Sequence, residues 1–191
     1  MKEFSIKKKE LLLPTELNNI EYIVGIGRLT KQKNFKLLVN FFINISNKYK
    51  DIHLVIIGEG EENDLLKKII SRANIKNRVH LLGYQDNVFK FLIRAKCFIL
   101  SSLWEDPGFV LVEAALTNTS IISSNCPNGP KEIIQSNGYL FENNSVDDLT
   151  IKFEEFLKTS DNTIYLNKLE LKKRIRIFAQ YNHYKNLNEI I

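Results

Sequence analysis

The feature that most constrains this chain is a repeated switch of hydrophobic period. Short apolar runs of strand length alternate with segments whose apolar residues recur at helical spacing. The runs are residues 22–27 (YIVGIG), 53–58 (HLVIIG), 79–82, 97–100 and 120–123. Between them, residues 34–49 put Phe35, Leu38, Phe42, Ile45 and Tyr49 on one helical face. Residues 61–73 do the same with Leu65, Leu66, Ile69 and Ile70, and shorter helical patterns cover 87–95 and 108–117. Strands this short and apolar, each followed by a helix, predict a parallel sheet covered on both faces. The expected class is therefore α/β. Beyond Pro130 the pattern loosens: residues 138–141 suit an edge strand, 146–158 are amphipathic, and 164–191 suit a helical tail after a break. The first 20 residues read as a lead-in, because Pro14 and the Asn18-Asn19 pair interrupt any helix.

At 191 residues the chain can form one domain with a full core, but not two large ones. No apolar run reaches the roughly 18 residues of a membrane span, and the opening MKEFSIKKKELLLP does not read as a signal peptide. Cys97 and Cys126 belong to no CxxC pair, and Cys97 reads as a small hydrophobe in a strand. That usage fits the cytoplasm. His53, His80 and His183 show no metal spacing and read as structural or surface residues. The net charge is +5, with basic clusters at 7–9 and 172–176. These suit solvated helix faces, or attraction to an anionic membrane surface or ligand. No basic run is interleaved with aromatics, so nothing points to nucleic acid.

Five segments lie where strands end. The first is GIGRLTKQKN, residues 25–34, with Arg28 and Lys33 flanking a turn that leads into a helix. A diphosphate needs close backbone approach, N–H donors and cations, all of which this segment offers. A plain strand-to-helix turn with surface cations explains it equally. It is neither a dinucleotide fingerprint, because Thr30 stands at the third glycine position, nor a P-loop. Gly58-Glu59-Gly60 suits a turn, or close approach to a ligand. Tyr84 and Gln85 follow Gly83, where an aromatic ring and an amide can meet a base. The fourth segment, SSLWEDPGFVLVEAA (101–115), places Glu105 in a loop and Glu113 early in a helix. Carboxylates at such a rim accept hydrogen bonds from sugar and ribose hydroxyls. The helix dipole explains Glu113 alone, but not Trp104, Glu105 and Gly108 together. The fifth, NCPNGPKE (125–132), is a loop made rigid by two prolines and a glycine.

In this order the segments resemble the C-terminal, donor-binding half of a retaining glycosyltransferase of the GT-B fold, family 4, whose domain is called the glycosyl transferases group 1 domain. The segments that carry the resemblance are GIGRLTKQKNF, LVIIGEGEE, VHLLGYQDNV, SSLWEDPGFVLVEAA, SIISSNCPNGPKEII and NGYLF, spanning 22–141. The resemblance implies a Rossmann-like parallel sheet with helices on both faces, one half of a GT-B fold. It implies a lead-in over 1–20, a nucleotide-sugar-binding domain over 21–160 and a C-terminal helical segment over 161–191. By the family pattern, Arg28 and Lys33 hold the diphosphate and Glu105 meets the transferred sugar, and these three are the expected catalytic residues. Glu113 binds the ribose. Gly27 and the backbone N–H groups of Gly108, Phe109 and Val110 add to the phosphate and sugar site, and Tyr84 and Gln85 lie near the base. The nucleoside diphosphate sugar is substrate, and neither a cofactor nor a metal is expected, because the two cations neutralise the leaving group.

The chain departs from the family in places. Asp106-Pro107-Gly108-Phe109 stands where Gly-Phe-Gly is frequent, and Asn34 where glycine is common after Lys33. The acceptor-binding amino-terminal domain of a GT-B enzyme is expected from elsewhere, in cis or in trans. The final helix, 174–191, resembles the segment that packs back on that domain, so its apolar face, Ile175, Phe178, Tyr181 and Leu187, is expected to be exposed or mispacked in isolation. The activity implied is transfer of a hexose-type sugar to a saccharide or lipid-linked acceptor with retention, in surface polysaccharide or glycan biosynthesis, weak in this chain alone. The expected location is cytoplasmic, with peripheral contact at the inner membrane face. The alternative is a non-catalytic nucleotide-binding or partner-binding module derived from such an enzyme. An NAD-binding domain is disfavoured by the missing glycine and survives only through Glu59.

Overall fold

The computed structural model describes residues 12–106 and 108–188, with side chains described through residue 175 of the last helix. The basic cluster at 7–9 and the tail positions Phe178, Tyr181 and Leu187 lie outside the described side chains. Ile175, expected on the same exposed face, is instead fully buried in this chain's own core beside Leu111 and Ile134.

Six strands form one all-parallel sheet: β1 (Glu21–Ile26), β2 (Ile52–Ile57), β3 (Val79–Leu81), β4 (Cys97–Leu100), β5 (Ile121–Ser124) and β6 (Tyr139–Phe141). Their spatial order is β3-β2-β1-β4-β5-β6. The helices between them are α1 (Phe35–Ser46), α2 (Asn63–Arg72), α3 (Phe89–Leu92), α4 (Phe109–Leu116), α5 (Pro130–Ile134), α6 (Val146–Lys158) and α7 (Asp161–Asn188). Alternation along β1 shows why both faces must be covered. Ile23 joins one core, whereas Tyr22, Val24 and Ile26 join the other. The first core packs α1, α2 and α6 against the sheet, with Phe41 and Phe153 edge to face at 5.4 Å between centroids. The second packs α3, α4, α5 and α7 through Phe91, Leu111, Ala114, Ile134, Leu171 and Ile175.

The expected α/β sheet is present, and residues 139–141 are its edge strand. Several boundaries differ from expectation, two of them with a visible cause. The helical pattern over 87–95 yields only the four helical residues of α3, because Asn87 Oδ1 caps its start and the chain turns early to reach β4. The tail helix begins at Asp161, directly after the Thr159-Ser160 break, where the Ser160 hydroxyl accepts from the Thr163 N–H.

The strand order reverses between β1 and β4. Chain leaving β1 turns toward β2 on one side, and the later strands build outward from β4 on the other. The loops at the carboxyl ends of β1 and β4 therefore diverge and leave a crevice. Open parallel sheets bind ligands at that point.

Candidate functional site

Lys33 and Glu105 meet across this crevice. Lys33 closes the loop after β1, and Glu105 sits in the loop after β4. The Lys33 Nζ donates to Glu105 Oε1 at 2.7 Å and Oε2 at 2.8 Å, with side chains 16% and 3% exposed. Ser102 Oγ donates to the same Oε1 at 2.5 Å. The backbone beneath is tied as firmly. Ser101 Oγ donates to the Lys33 carbonyl at 2.8 Å, Ser124 Oγ to the Ser102 carbonyl at 2.6 Å, and the Glu105 N–H to the Pro127 carbonyl at 3.1 Å. Gln32 pins the next turn, donating from Nε2 to the Trp104 carbonyl and accepting at its own carbonyl from the Leu103 N–H. The ion pair thus rests on three loops, those after β1, β4 and β5.

Two hollows open on this rim, and they share Ile26 and Gly27. One, of about 280 Å³, is lined by Lys33, Glu105, Asp106, Gly108, Phe109, Val110 and Glu113. The other, of about 310 Å³, is lined by Arg28, Gly58, Glu59, Tyr84, Gln85 and Val88. Every expected site residue lies in one or the other. The two expected diphosphate cations separate: Arg28 is exposed in the Tyr84 hollow, whereas Lys33 faces Glu105 in its neighbour. Between them runs the Gly27 backbone.

Local chemistry explains the placements. Gly108 precedes α4 at φ 76°, a left-handed conformation that lets the loop fold back over Glu105. Gly108, Phe109 and Val110 at the start of α4 line the Glu105 hollow, and a helix start favours negative charge. Glu113, one turn in, is half-buried, and burial pushes its carboxyl above the usual range. Asn34 takes φ 49° at the start of α1, which accounts for asparagine where the family has glycine. Gln85 is anchored by donation from its amide to the Leu82 carbonyl at 3.1 Å, while Tyr84 stands 69% exposed above it.

Some of these contacts were not foreseen from sequence. The Lys33–Glu105 pair is one, since cation and acid had been assigned to different parts of a ligand. Ser102 is another; its only signal is a pair of hydroxyls at the carboxyl end of a strand. Asp106 lines the Glu105 hollow. His53 and His80 stack on adjacent strands at 5.3 Å, with Nδ1 and Nε2 3.0 Å apart, and burial is the main cause that lowers both rings below the usual range. Among the described residues no group of three His, Cys, Asp or Glu is placed to hold a metal, and no helix is long and apolar enough to cross a membrane.

The glycosyl transferases group 1 model matches residues 8–177. The chain belongs to that family. Two curated relatives of this group 1 chain are longer than the part it matches. An uncharacterized glycosyltransferase of Methanocaldococcus jannaschii is 42% identical over 58% of this chain and 27% of its own length. The UDP-Gal:alpha-D-GlcNAc-diphosphoundecaprenol alpha-1,3-galactosyltransferase of Escherichia coli is 30% identical over 95% of this chain and 47% of its own length. The group 1 chain therefore spans about a quarter to a half of these relatives. Among solved structures, S. aureus TarM with UDP, Fondaparinux and alpha-GlcNAc-glycerol superposes with a TM-score of 0.76 at 24% identity, over 86% of this chain and 34% of that one. The Rossmann-like sheet is thus that of GT-B glycosyltransferases.

Proposed function

We propose that this chain forms the donor side of a retaining hexosyltransferase that takes its sugar from a nucleoside diphosphate carrier. The observation that carries this is the pair of hollows joined at Gly27, with Lys33–Glu105 in one and Arg28–Tyr84 in the other. One hollow has the size and polarity for a sugar and its attached phosphate. The other has an apolar floor and an exposed ring for a base. The E. coli relative is named for a UDP-sugar donor and a lipid-linked acceptor, which supports this substrate class and a place in surface glycan biosynthesis.

Each site residue then has one task. The N–H groups of Phe109 and Val110 at the start of α4, together with Arg28 and Lys33, meet the diphosphate. Their positive charge stabilises the leaving group as the C1–O bond to the β-phosphate breaks. The acceptor hydroxyl bonds to C1 from the same face, so configuration is kept, and its proton passes to the departing phosphate oxygen. Glu105 accepts hydrogen bonds from the sugar hydroxyls, and Glu113 accepts from the ribose. Tyr84 and Gln85 pack on and bond the base. The acceptor and a second domain, in cis or in trans, close the crevice from above. The reaction takes place in the cytoplasm, with lipid-linked acceptors reached at the membrane surface.

Calorimetry with UDP, GDP and their sugars tests the reading. Binding that disappears in Glu113→Ala is expected. Silence from every nucleotide at millimolar concentration would sink the site, and full affinity in Glu113→Ala would remove that residue from it. Binding without turnover, even with the partner domain supplied, would favour the non-catalytic module.

A further inference from the structure

His53 and His80 face each other across the seam between β2 and β3. The register pairs Val55 with His80, so His53, two residues back from Val55, lies on the same face of the sheet. Their near-parallel rings, 19° apart, are offset so far that they touch at their edges. The 5.3 Å between ring centres is taken up by the two rings and the 3.0 Å gap from His53 Nδ1 to His80 Nε2. The facing nitrogens therefore lie close to the line of centres, and one N–H donates to the lone pair of the other ring.

One proton sits between those nitrogens, and this sets how the pair can charge. With one ring charged, that ring donates and its neutral partner accepts, so the bond survives and is charge-assisted. With both charged, each facing nitrogen carries a hydrogen, no lone pair remains between them, and like charges meet. Glu16, in the short turn Thr15–Leu17, favours charge on His80, whereas Arg78, in the turn Lys76–Arg78, opposes it on His53. The first proton therefore belongs on His80. The second meets burial, a charged neighbour and Arg78 together. The cations on and just after α3 lie elsewhere, Lys90 over the Phe91 ring and Arg94 acting on Tyr22.

The bond holds the edge of the sheet. β3 is three residues long and ends the sheet, with β2 on its paired side. Past β3 the seam continues through the Leu82 N–H, which donates to the Ile56 carbonyl at 3.0 Å, and the Gly83 carbonyl, which accepts from Gly58 at 2.8 Å. We propose that His53 and His80 form an acid-opened latch: one shared proton ties β3 to β2, and a second proton on the pair breaks the bond and loosens the edge. Burial lowers both rings below the ordinary histidine value of about 6.5, so beneath that value the unfolded chain binds more protons. The latch therefore contributes stability at neutral pH that is lost as pH falls. Tyr84 and Gln85 follow β3 directly, so an open latch also slackens the Arg28–Tyr84 hollow. That this hollow takes the base rests on the function proposed above; the latch itself does not.

Nuclear magnetic resonance of the imidazole nitrogens between about pH 8 and pH 5 reads the latch without any nucleotide. The pair should titrate in two separate steps, the second below the ordinary histidine range. Amide exchange at Leu82, corrected for its intrinsic pH dependence, should rise with that second step. His53→Gln with His80→Gln keeps a donor and an acceptor but no titrating proton. Over the same window the unaltered chain should lose about 4 °C of Tm more than this double variant. Both rings titrating together at the ordinary value would overturn the proposal, as would steady exchange at Leu82 or equal Tm losses in the two proteins. If the double variant does not fold, the resonance and exchange measurements on the unaltered chain decide.

Discussion

Lys33 and Glu105 hold each other before any ligand arrives, and this sets what each can do. A buried charge that loses its partner costs about 3–5 kcal/mol, although the pair as a whole can be nearly neutral. Lys33→Met should therefore destabilise by about 3 kcal/mol, because Glu105 keeps only Ser102. Adding Glu105→Gln should restore part of that loss, since no buried charge then remains. Urea unfolding of the single and double variants reads the cycle, and two additive losses would show that solvent already screens the pair. Ser102→Ala should leave nucleotide affinity intact and weaken the nucleotide sugar by about tenfold, from one lost charge-assisted hydrogen bond. Equal loss for both ligands would place Ser102 in general stability instead. Glu113 carries a pH dependence. Its folded pKa lies above the unfolded value, so between the two the native state binds more protons. Its contribution to stability is therefore lost as pH rises through the acid range, and Glu113→Gln should remove that part of the slope. Nucleotide affinity should move oppositely and rise with pH, because the ionised carboxylate is the better ribose acceptor. A Glu113→Gln variant with the wild-type stability profile would show that the carboxyl is solvated after all.

At the level of elements, backbone hydrogen bonds lock the loops after β1 and β2 in place. The Gly27 N–H donates to the Ile57 carbonyl, and the Gly58 N–H to Gly83. A Cβ on Gly58 would sit 2.0 Å from the Gly27 oxygen, at φ 137°. Gly58→Ala should therefore cost about 3 kcal/mol or more and weaken nucleotide binding through the displaced Gly27 and Arg28. Circular dichroism melts with parallel calorimetry check it; an unchanged melt would mean the two loops part freely. This clash also shows where sequence reading stops. Periodicity gave the strands, because residues such as Val24 and Ile56 must be apolar on both sides of a covered sheet. Glycines and acids at strand ends gave the rim, since chain order alone puts those loops at one edge. The partners across that rim were not legible. Strand order decides that β4 rather than β2 flanks β1 on the far side, and only then does Lys33 face Glu105. Helix ends were blurred for a related reason: 87–95 has helical spacing, yet the reach to β4 ends α3 at Leu92.

Across the whole molecule, the donor rim is mounted on a sheet whose second face is sealed by the last helix. Leu171 and Ile175 are buried against α4 and α5, and Arg174 donates from Nε and Nη2 to the Glu132 carbonyl. Because α4 also carries Glu113, α7 is a candidate to tune the site through it. The packing argues otherwise. Although α4 shares its core with Leu171 and Ile175 of α7, the rim loops are held by Ser101, Ser102 and Ser124 from within the sheet edge. A cavity opened behind α4 should therefore cost stability and leave binding alone. Leu171→Ala is expected to lose about 3 kcal/mol, in the range for a buried leucine, while nucleotide affinity shifts by less than about threefold. Denaturant unfolding and calorimetry on the same preparation separate the two. A comparable loss in both would show that α7 docking and donor binding form one cooperative unit. Two separable losses would show that the half-site is a rigid platform. A rigid platform leaves Lys33 and Glu105 in place throughout.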